Sequence, residues 1–360
     1  MVKKIVTVIG TRPQFVKAAA VSRELRNQFN EILINTGQHY DHNMSSVFFE
    51  ELKIPLPDYN LEVGSGSHGK QTGEMLALIE EVLMKEKPDG VLVYGDTNST
   101  TAGALAASKL HIPIFHVEAG LRSFNRLMPE EINRVLTDHL SSLLFSPTTL
   151  SVGNLRKEGI TRGVYNVGDI MYDAVLFNGK LSKDSFNLEE HGLKPKEFIL
   201  STIHRAENTD DNERLAAIFK ALMSIEQKVL LPLHPRTKKK LTDIGLLREV
   251  EEAQNILLLD PLSYLEMLYL EKNANYIVTD SGGVQKEAYF MQVPCITLRN
   301  ETEWVETVEA GWNVLVDPIK TDLKKVIKTF SPENYIDNLY GDGQAGKKMV
   351  RTMVDYLNEI

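Results

Sequence analysis

Short apolar runs alternate with longer stretches of helical period along this chain. The runs at 5–9, 32–35, 90–94, 114–117, 143–146 and 165–167 are apolar at nearly every position. That pattern predicts strands of a parallel sheet covered on both faces. Segments of helical period lie between them, at 13–28, 44–52, 71–85, 100–110, 129–141 and 150–158. The pattern pauses over 172–192, where polarity is mixed and no strand-like run occurs. A second series follows, with strands expected at 198–201, 229–233, 256–259, 276–279, 295–298 and 314–316. Its helices are expected at 212–225, 238–250, 264–270, 284–291 and 304–310. Repeated β–α alternation predicts an α/β fold of two doubly wound, Rossmann-like domains. The boundary is placed near Gly168, giving domains 1–168 and 169–344. The last segment, 344–360, reads as a helix with apolar Met349, Val350, Met353 and Leu357. Two such domains are expected to leave a cleft between them, facing the carboxyl ends of both sheets.

Composition narrows the classes. A chain of 360 residues, 42% hydrophobic, can bury two cores without staples. Its net charge of -9 argues against a nucleic-acid surface, but not against a phosphorylated small molecule held by local Arg and Lys. The single cysteine, Cys295, lies in an apolar run and excludes a disulfide framework. The apolar run that opens the chain is too short for a signal peptide, and no run approaches the length of a membrane span. A soluble cytoplasmic protein, without membrane partners, is expected.

Candidate chemistry sits just after the strand-like runs, where doubly wound folds place ligands. Asp280-Ser281-Gly282-Gly283 follows one run and opens a helix. Its backbone N–H groups and the helix dipole suit a phosphate, and the glycines allow close approach. Taken alone, the same segment is equally an ordinary strand-to-helix turn. Glu287 lies one helical turn further on, placed to accept from sugar hydroxyls. The first strand ends in Gly10-Thr11-Arg12-Pro13, with Lys17 beyond. Two cations at a helix start are unfavourable unless an anion sits there. Asp96 follows the third strand and also suits a helix cap. Glu118 follows a fourth, where half-burial favours acid or base work. Glu130 and Glu131 follow Pro129 in a first helical turn, a placement the dipole alone would favour. In the second series, His204-Arg205 and His234-Pro235-Arg236 both end strands and suit anion binding, with His204 able to protonate a leaving phosphate. A P-loop, a nucleophile elbow and a Gly-x-Gly-x-x-Gly after the first strand are absent from the sequence.

These residues form an ordered set: Gly10-Thr11-Arg12-Pro13 with Lys17, Gly95-Asp96-Thr97, Val117 to Arg122, Pro129-Glu130-Glu131 with Asn133-Arg134, His204-Arg205 with Glu207-Asn208, and Asp280 to Gly283 with Gln285 and Glu287. Over 10–311 the set resembles the non-hydrolysing UDP-N-acetylglucosamine 2-epimerases, in order and spacing. The resemblance implies two Rossmann-like domains of the glycosyltransferase-B type, with the C-terminal helix returning to the first domain, and a homodimer. It implies interconversion of UDP-GlcNAc and UDP-ManNAc without metal or cofactor, through loss of the C2 proton and of UDP to give 2-acetamidoglucal. By matching positions, it implies Asp96, Glu118 and Glu130 as the acid/base group. It implies Arg12, Lys17 and His204 on the diphosphate, Ser281 and Gly283 as turn donors, and Glu287 on the ribose.

Two stretches depart from the family pattern. Trp304 stands where members acting on UDP-GlcNAc commonly carry arginine, so a cation expected near the phosphates is missing there. Gln38-His39-Tyr40-Asp41 and Lys70-Gln71 match only part of a regulatory site for a second UDP-GlcNAc. Arg12 to Phe15 and Glu303 to Glu306 look more like the branch that epimerises UDP-2,3-diacetamido-2,3-dideoxy-glucuronate. UDP-GlcNAc is taken first as the family's commonest substrate. A glycosyltransferase of the same architecture and a hydrolysing epimerase are the competing enzymes.

Overall fold

The computed structural model describes residues 2–38, 52 and 54–360. All but Leu52 of the helix expected at 44–52 lies outside the described residues, as do His39, Tyr40 and Asp41 of the partial regulatory motif. The chain divides into two units, one running to Phe177 and resuming over Asn338–Ile360, the other Asn178–Asp337.

The first unit carries β1 (Lys4–Ile9), β2 (Asn30–Asn35), β3 (Tyr59–Asn60), β4 (Gly90–Tyr94), β5 (Ile114–Val117), β6 (Leu143–Ser146) and β7 (Val164–Asn166). They form one parallel sheet in the order β3-β2-β1-β4-β5-β6-β7. Val6 of β1 lies opposite Ile32 of β2 on one side and Val91 of β4 on the other. The strand order therefore reverses between β1 and β4. Open sheets of this kind bind ligands at such a reversal, beyond the carboxyl ends of the strands. Residues 5, 6, 8 and 9 of β1 are all buried, which is why the run is apolar without alternation.

The second unit carries β8 (Phe198–Thr202), β9 (Lys228–Pro232), β10 (Ile256–Leu259), β11 (Tyr276–Thr279), β12 (Cys295–Thr297) and β13 (Asn313–Leu315). Their order is β10-β9-β8-β11-β12-β13, again parallel, with the reversal between β8 and β11. Successive side chains leave the sheet on opposite faces. Ile199, Leu231, Val278 and Ile296 join Phe219 in one core, while Phe198, Leu200, Leu230 and Ile277 join Leu270 in another. Each such buried side chain contributes about 1.5–3 kcal/mol. Cys295 belongs to the second core, where burial pushes its thiol up to about 12.

Three differences from the sequence reading have local causes. The helix expected at 238–250 is two helices, Pro235–Asp243 and Leu247–Glu252, because Gly245 takes φ 72, outside the helical range. Residues 172–192, without a strand as expected, begin inside a helix, Ile170–Leu181. The units part after Phe177, nine residues beyond Gly168. Gly168 is tied to the first unit by close packing: it takes φ 90, and a Cβ there would lie 2.9 Å from the Tyr340 carbonyl oxygen. Asp169 N donates to that oxygen at 2.8 Å, and Asp173 accepts from Ala345 N and Gly346 N at 3.1 and 2.9 Å. These bonds start the Ala345–Glu359 helix, which packs on the Arg12–Leu25 helix of the same unit. No helix among the described residues is long and apolar enough to cross a membrane.

Candidate active site

In the first unit, the loops after β1 and β4 are joined by one side chain. Gln14 Oε1 accepts from Gly10 N at 2.8 Å and Thr11 N at 3.2 Å. Its Nε2 donates to the Tyr94 carbonyl at 2.8 Å and to Thr97 and Thr100 hydroxyls at 3.0 Å. Thr97, not Asp96, caps the next helix, accepting from Thr100 N. Asp96 is thereby left for other work.

Glu118 leaves β5 with φ 75, a left-handed conformation that a residue with a Cβ adopts only under constraint. The constraint is visible: Glu118 N and Ala119 N both donate to the Phe145 carbonyl at 3.1 Å. The strained turn aims the carboxylate at Lys17, and the two form a buried ion pair. Lys17, expected to face a phosphate, is thus engaged with Glu118 in this structure, while Arg12 is exposed. Both charged groups adjoin the Gly95 turn, where a Cβ would stand 3.3 Å from Glu118 Oε2 and 3.6 Å from Lys17 Nζ. Asp96, half-buried, receives Arg134 Nη2 at 2.5 Å. Burial raises its carboxyl above the ordinary value, against the pull of Arg134, and the charge of Glu118 adds to the rise. Asp96 and Glu118 therefore feel one another, with Lys17 beside them.

The two adjacent glutamates separate cleanly. Glu131 is buried and accepts from Ser123 N, Phe124 N and Arg134 at 2.8, 3.0 and 3.0 Å. It secures the loop before its own helix, Pro129–Leu140. Glu130 is exposed in the first turn of that helix.

Two residues outside the set expected from the sequence position this site. His116 is buried in β5, with Nδ1 2.7 Å from Asp138 Oδ1 and Nε2 2.8 Å from the Gly95 carbonyl. Asp138 also accepts from Gly120 N at 3.1 Å and pairs with Arg122 at 2.7 Å. The pair fixes the Gly95 and Gly120 loops on either side of Glu118. A histidine inside an apolar run was the available signal, but its partner lies 22 residues on.

In the second unit the reversal point joins the ends of β8 and β11. Asp280 is fully buried and accepts from His204 N at 3.1 Å, Arg205 N at 3.0 Å and Asn208 Nδ2 at 3.1 Å. It folds the His204-Arg205 turn beside the Ser281-Gly282-Gly283 turn. The His204 and Arg205 side chains remain about two-fifths exposed, at 43% and 36%. His234 does not stand apart from the fold: its Nδ1 accepts from Arg236 N at 3.1 Å, capping a helix, while its ring lies 6.2 Å from that of His204. The helix Gly282–Phe290 starts at the first glycine, and Ser281 gives it no side-chain cap. Its leading N–H groups keep their capacity for an anion. A guanidinium does reach the turn. Arg299 Nη1 donates to Glu303 at 2.9 Å, and Arg205 lies 3.6 Å from the same carboxylate.

Glu287 is buried on the inner side of this helix. Burial pushes its carboxyl up to about 7, against a hydrogen bond with Tyr264 and the charge of Lys286. Glu271 is pushed well up too, by burial and by Glu287. The folded protein thus holds a proton on Glu287 between the ordinary 4.5 and about 7 that the unfolded chain releases. Stability therefore falls as pH rises through that window. Denaturant midpoints taken across it should decline with pH, and Glu287→Gln should make the decline shallower.

Comparison with known proteins fits this geometry. The UDP-N-acetylglucosamine 2-epimerase family model matches residues 23–354. A UDP-N-acetylglucosamine 2-epimerase homolog of Methanococcus maripaludis is 57% identical over 97% of this chain and 99% of its own. The UDP-2,3-diacetamido-2,3-dideoxy-D-glucuronate 2-epimerase of Pseudomonas aeruginosa is 50% identical over 96% and 98%. The crystal structure of Methanocaldococcus jannaschii UDP-GlcNAc 2-epimerase in complex with UDP-GlcNAc and UDP superposes with a TM-score of 0.86 at 47% identity, covering 98% and 99%. With two doubly wound units, a carboxylate cluster at one sheet reversal and an uncapped glycine turn at the other, the chain belongs to the UDP-N-acetylglucosamine 2-epimerase family, and it is a UDP-sugar 2-epimerase.

Proposed function

We propose that the protein interconverts UDP-N-acetylglucosamine and UDP-N-acetylmannosamine, supplying sugars for cell-surface polysaccharide. The observation that carries this reading is the Glu118–Lys17 pair beside Asp96: two carboxylates with different surroundings, one paired with a buried ammonium and one whose carboxyl is raised by burial. Groups so separated suit a base and an acid acting on one carbon. The C2 proton passes to a carboxylate and the C1–O bond breaks, its electrons leaving with UDP. The product, 2-acetamidoglucal, takes UDP back at C1 and a proton on the other face of C2. Proton and UDP both return, so the cycle is redox-neutral. Glu130 is the third acid/base candidate. Arg12, Lys17, Arg205, His204 and His234 are assigned to the diphosphate and its departing charge. Ser281, Gly282 and Gly283 supply turn donors, and Glu287 the ribose contact. A homodimer working in the cytoplasm is part of the proposal.

A second reading, epimerisation of UDP-2,3-diacetamido-2,3-dideoxy-glucuronate, is favoured by Trp304 and by the 50% identity to the Pseudomonas aeruginosa enzyme. Incubation in D₂O with each sugar nucleotide tests both. The true substrate should recover with deuterium at C2 in both epimers. Free N-acetylmannosamine would instead indicate hydrolysis, and absence of C2 exchange with either nucleotide would refute the proposal.

A further inference from the structure

We infer that Trp304 is a ligand-binding residue of the Ser281-Gly282-Gly283 turn, its indole N–H donating to an oxygen of the bound diphosphate. The inference rests on the UDP-sugar reading and deepens it. Trp304 is only 7% exposed, and its Nε1 is a buried donor without a hydrogen-bond partner. Leaving such a donor unpaired costs about 1–3 kcal/mol. Unmet groups of this kind in a packed region point to a partner that arrives with function.

The position of Nε1 says which element is nearest to it. Nε1 lies 3.5 Å from the point where a Cβ would stand on Gly282. Gly282 opens the nine-residue helix Gly282–Phe290, whose start lacks a side-chain cap. The unpaired indole donor thus lies beside the residue that opens an uncapped helix. The ring is held there from several sides. Lys286 Nζ sits 3.8 Å over its face. The Trp304 backbone N donates to Thr302 Oγ1 at 3.1 Å, and Thr302 donates to Gln285 Oε1 at 2.7 Å. Thr307 Oγ1 donates to the Trp304 carbonyl at 2.8 Å.

Glu303 completes the picture. Its Oε1 stands so close over Gly282 that any Cβ there would collide with it. The carboxylate is paired with Arg299 at 2.9 Å and faces Arg205 at 3.6 Å. A carboxylate therefore stands against the first residue of this helix, between the two guanidiniums. A diphosphate brings more charge and more acceptor oxygens than one carboxylate. It displaces Glu303 from the cations and meets the indole N–H that Glu303 leaves unpaired. A neutral donor adds no charge to a turn that Arg205, Arg299 and Lys286 already make basic, so Trp304 selects oxygen position more than total charge.

The chain has two tryptophans, Trp304 and Trp312, so an indole ¹⁵N–¹H spectrum carries two side-chain signals. Trp304→Phe removes one and assigns both. On titration with UDP, the Trp304 indole proton should move downfield and gain protection from exchange. The Trp312 signal, from a ring packed edge-on against Tyr289 and Tyr335, is the internal reference. Calorimetry should show UDP binding to Trp304→Phe weakened about 10-fold or more, the scale of a hydrogen bond to a charged group. UDP binding that leaves the Trp304 signal unmoved overturns the inference while the function stands. So does a Trp304→Phe protein with wild-type UDP affinity. A wild-type protein that ignores UDP overturns both the inference and the reading beneath it.

Discussion

Glu118→Gln should lower the rate of C2 exchange by about 10²-fold or more, the loss typical of a missing acid/base group. Glutamine keeps the shape of the side chain, so it can take the same left-handed backbone and reach the same place. What it loses is the ability to accept a proton from carbon. The surroundings of Glu118 sharpen the expectation. A strained backbone and a buried ammonium partner are together costly to maintain, and neither is needed to end a strand. The substitution also leaves Lys17 buried without its counter-charge, so some stability falls with activity. Lys17→Met combined with Glu118→Gln separates the two effects. The double variant should recover the unfolding midpoint but not the exchange rate. Exchange measured by NMR in D₂O at saturating substrate reads the rate directly, and a Glu118→Gln enzyme with near-normal exchange contradicts the assignment.

Asp280→Ala should lower the unfolding free energy by about 3–5 kcal/mol, the cost of removing one partner from a buried charged network. That is a large share of the 5–15 kcal/mol typical of folded domains. Alanine would leave the N–H groups of His204 and Arg205 and the Asn208 amide without the oxygen they share, in a site fully closed to water. The His204-Arg205 turn would then lose its position beside the glycine turn, and UDP binding should disappear with it. Asp280→Asn keeps one acceptor oxygen and should cost less. Urea titration of the two variants, with calorimetry of UDP, checks both. An Asp280→Ala protein as stable as wild type would mean that the turn is held by something other than this carboxylate.

How much of this was legible in the sequence depends on range along the chain. The ends of β4, β5, β6, β10 and β11 fall where the apolar runs stop, before Gly95, Glu118, Pro147, Asp260 and Asp280. β3, only two residues long, leaves no such trace. Asp96, Glu118, His204 and Ser281 stand out because polar residues directly after a buried strand face the ligand end of the sheet. Their partners do not. Lys17 reads as a cation at a helix start, yet its counter-ion is 101 residues away. Asp280 reads as one more polar residue of a turn, yet it organises backbone 75 and 76 positions earlier. Glu130 and Glu131 are indistinguishable in a first helical turn until the fold buries one of them. Pairings of this kind are set by which strands become neighbours, and periodicity carries no record of that.

The division of the chain also bears on its synthesis. The second unit is one continuous stretch, Asn178–Asp337, whereas the first needs residues from both ends. As the polypeptide emerges, the second unit has its whole sequence in hand before the first does. The early part of the first unit must wait, with the Arg12–Leu25 helix still lacking its contact with the Ala345–Glu359 helix. That interval, some 160 residues of translation by the unit's bounds, is when the nascent chain is most exposed to chaperones and to its own neighbours.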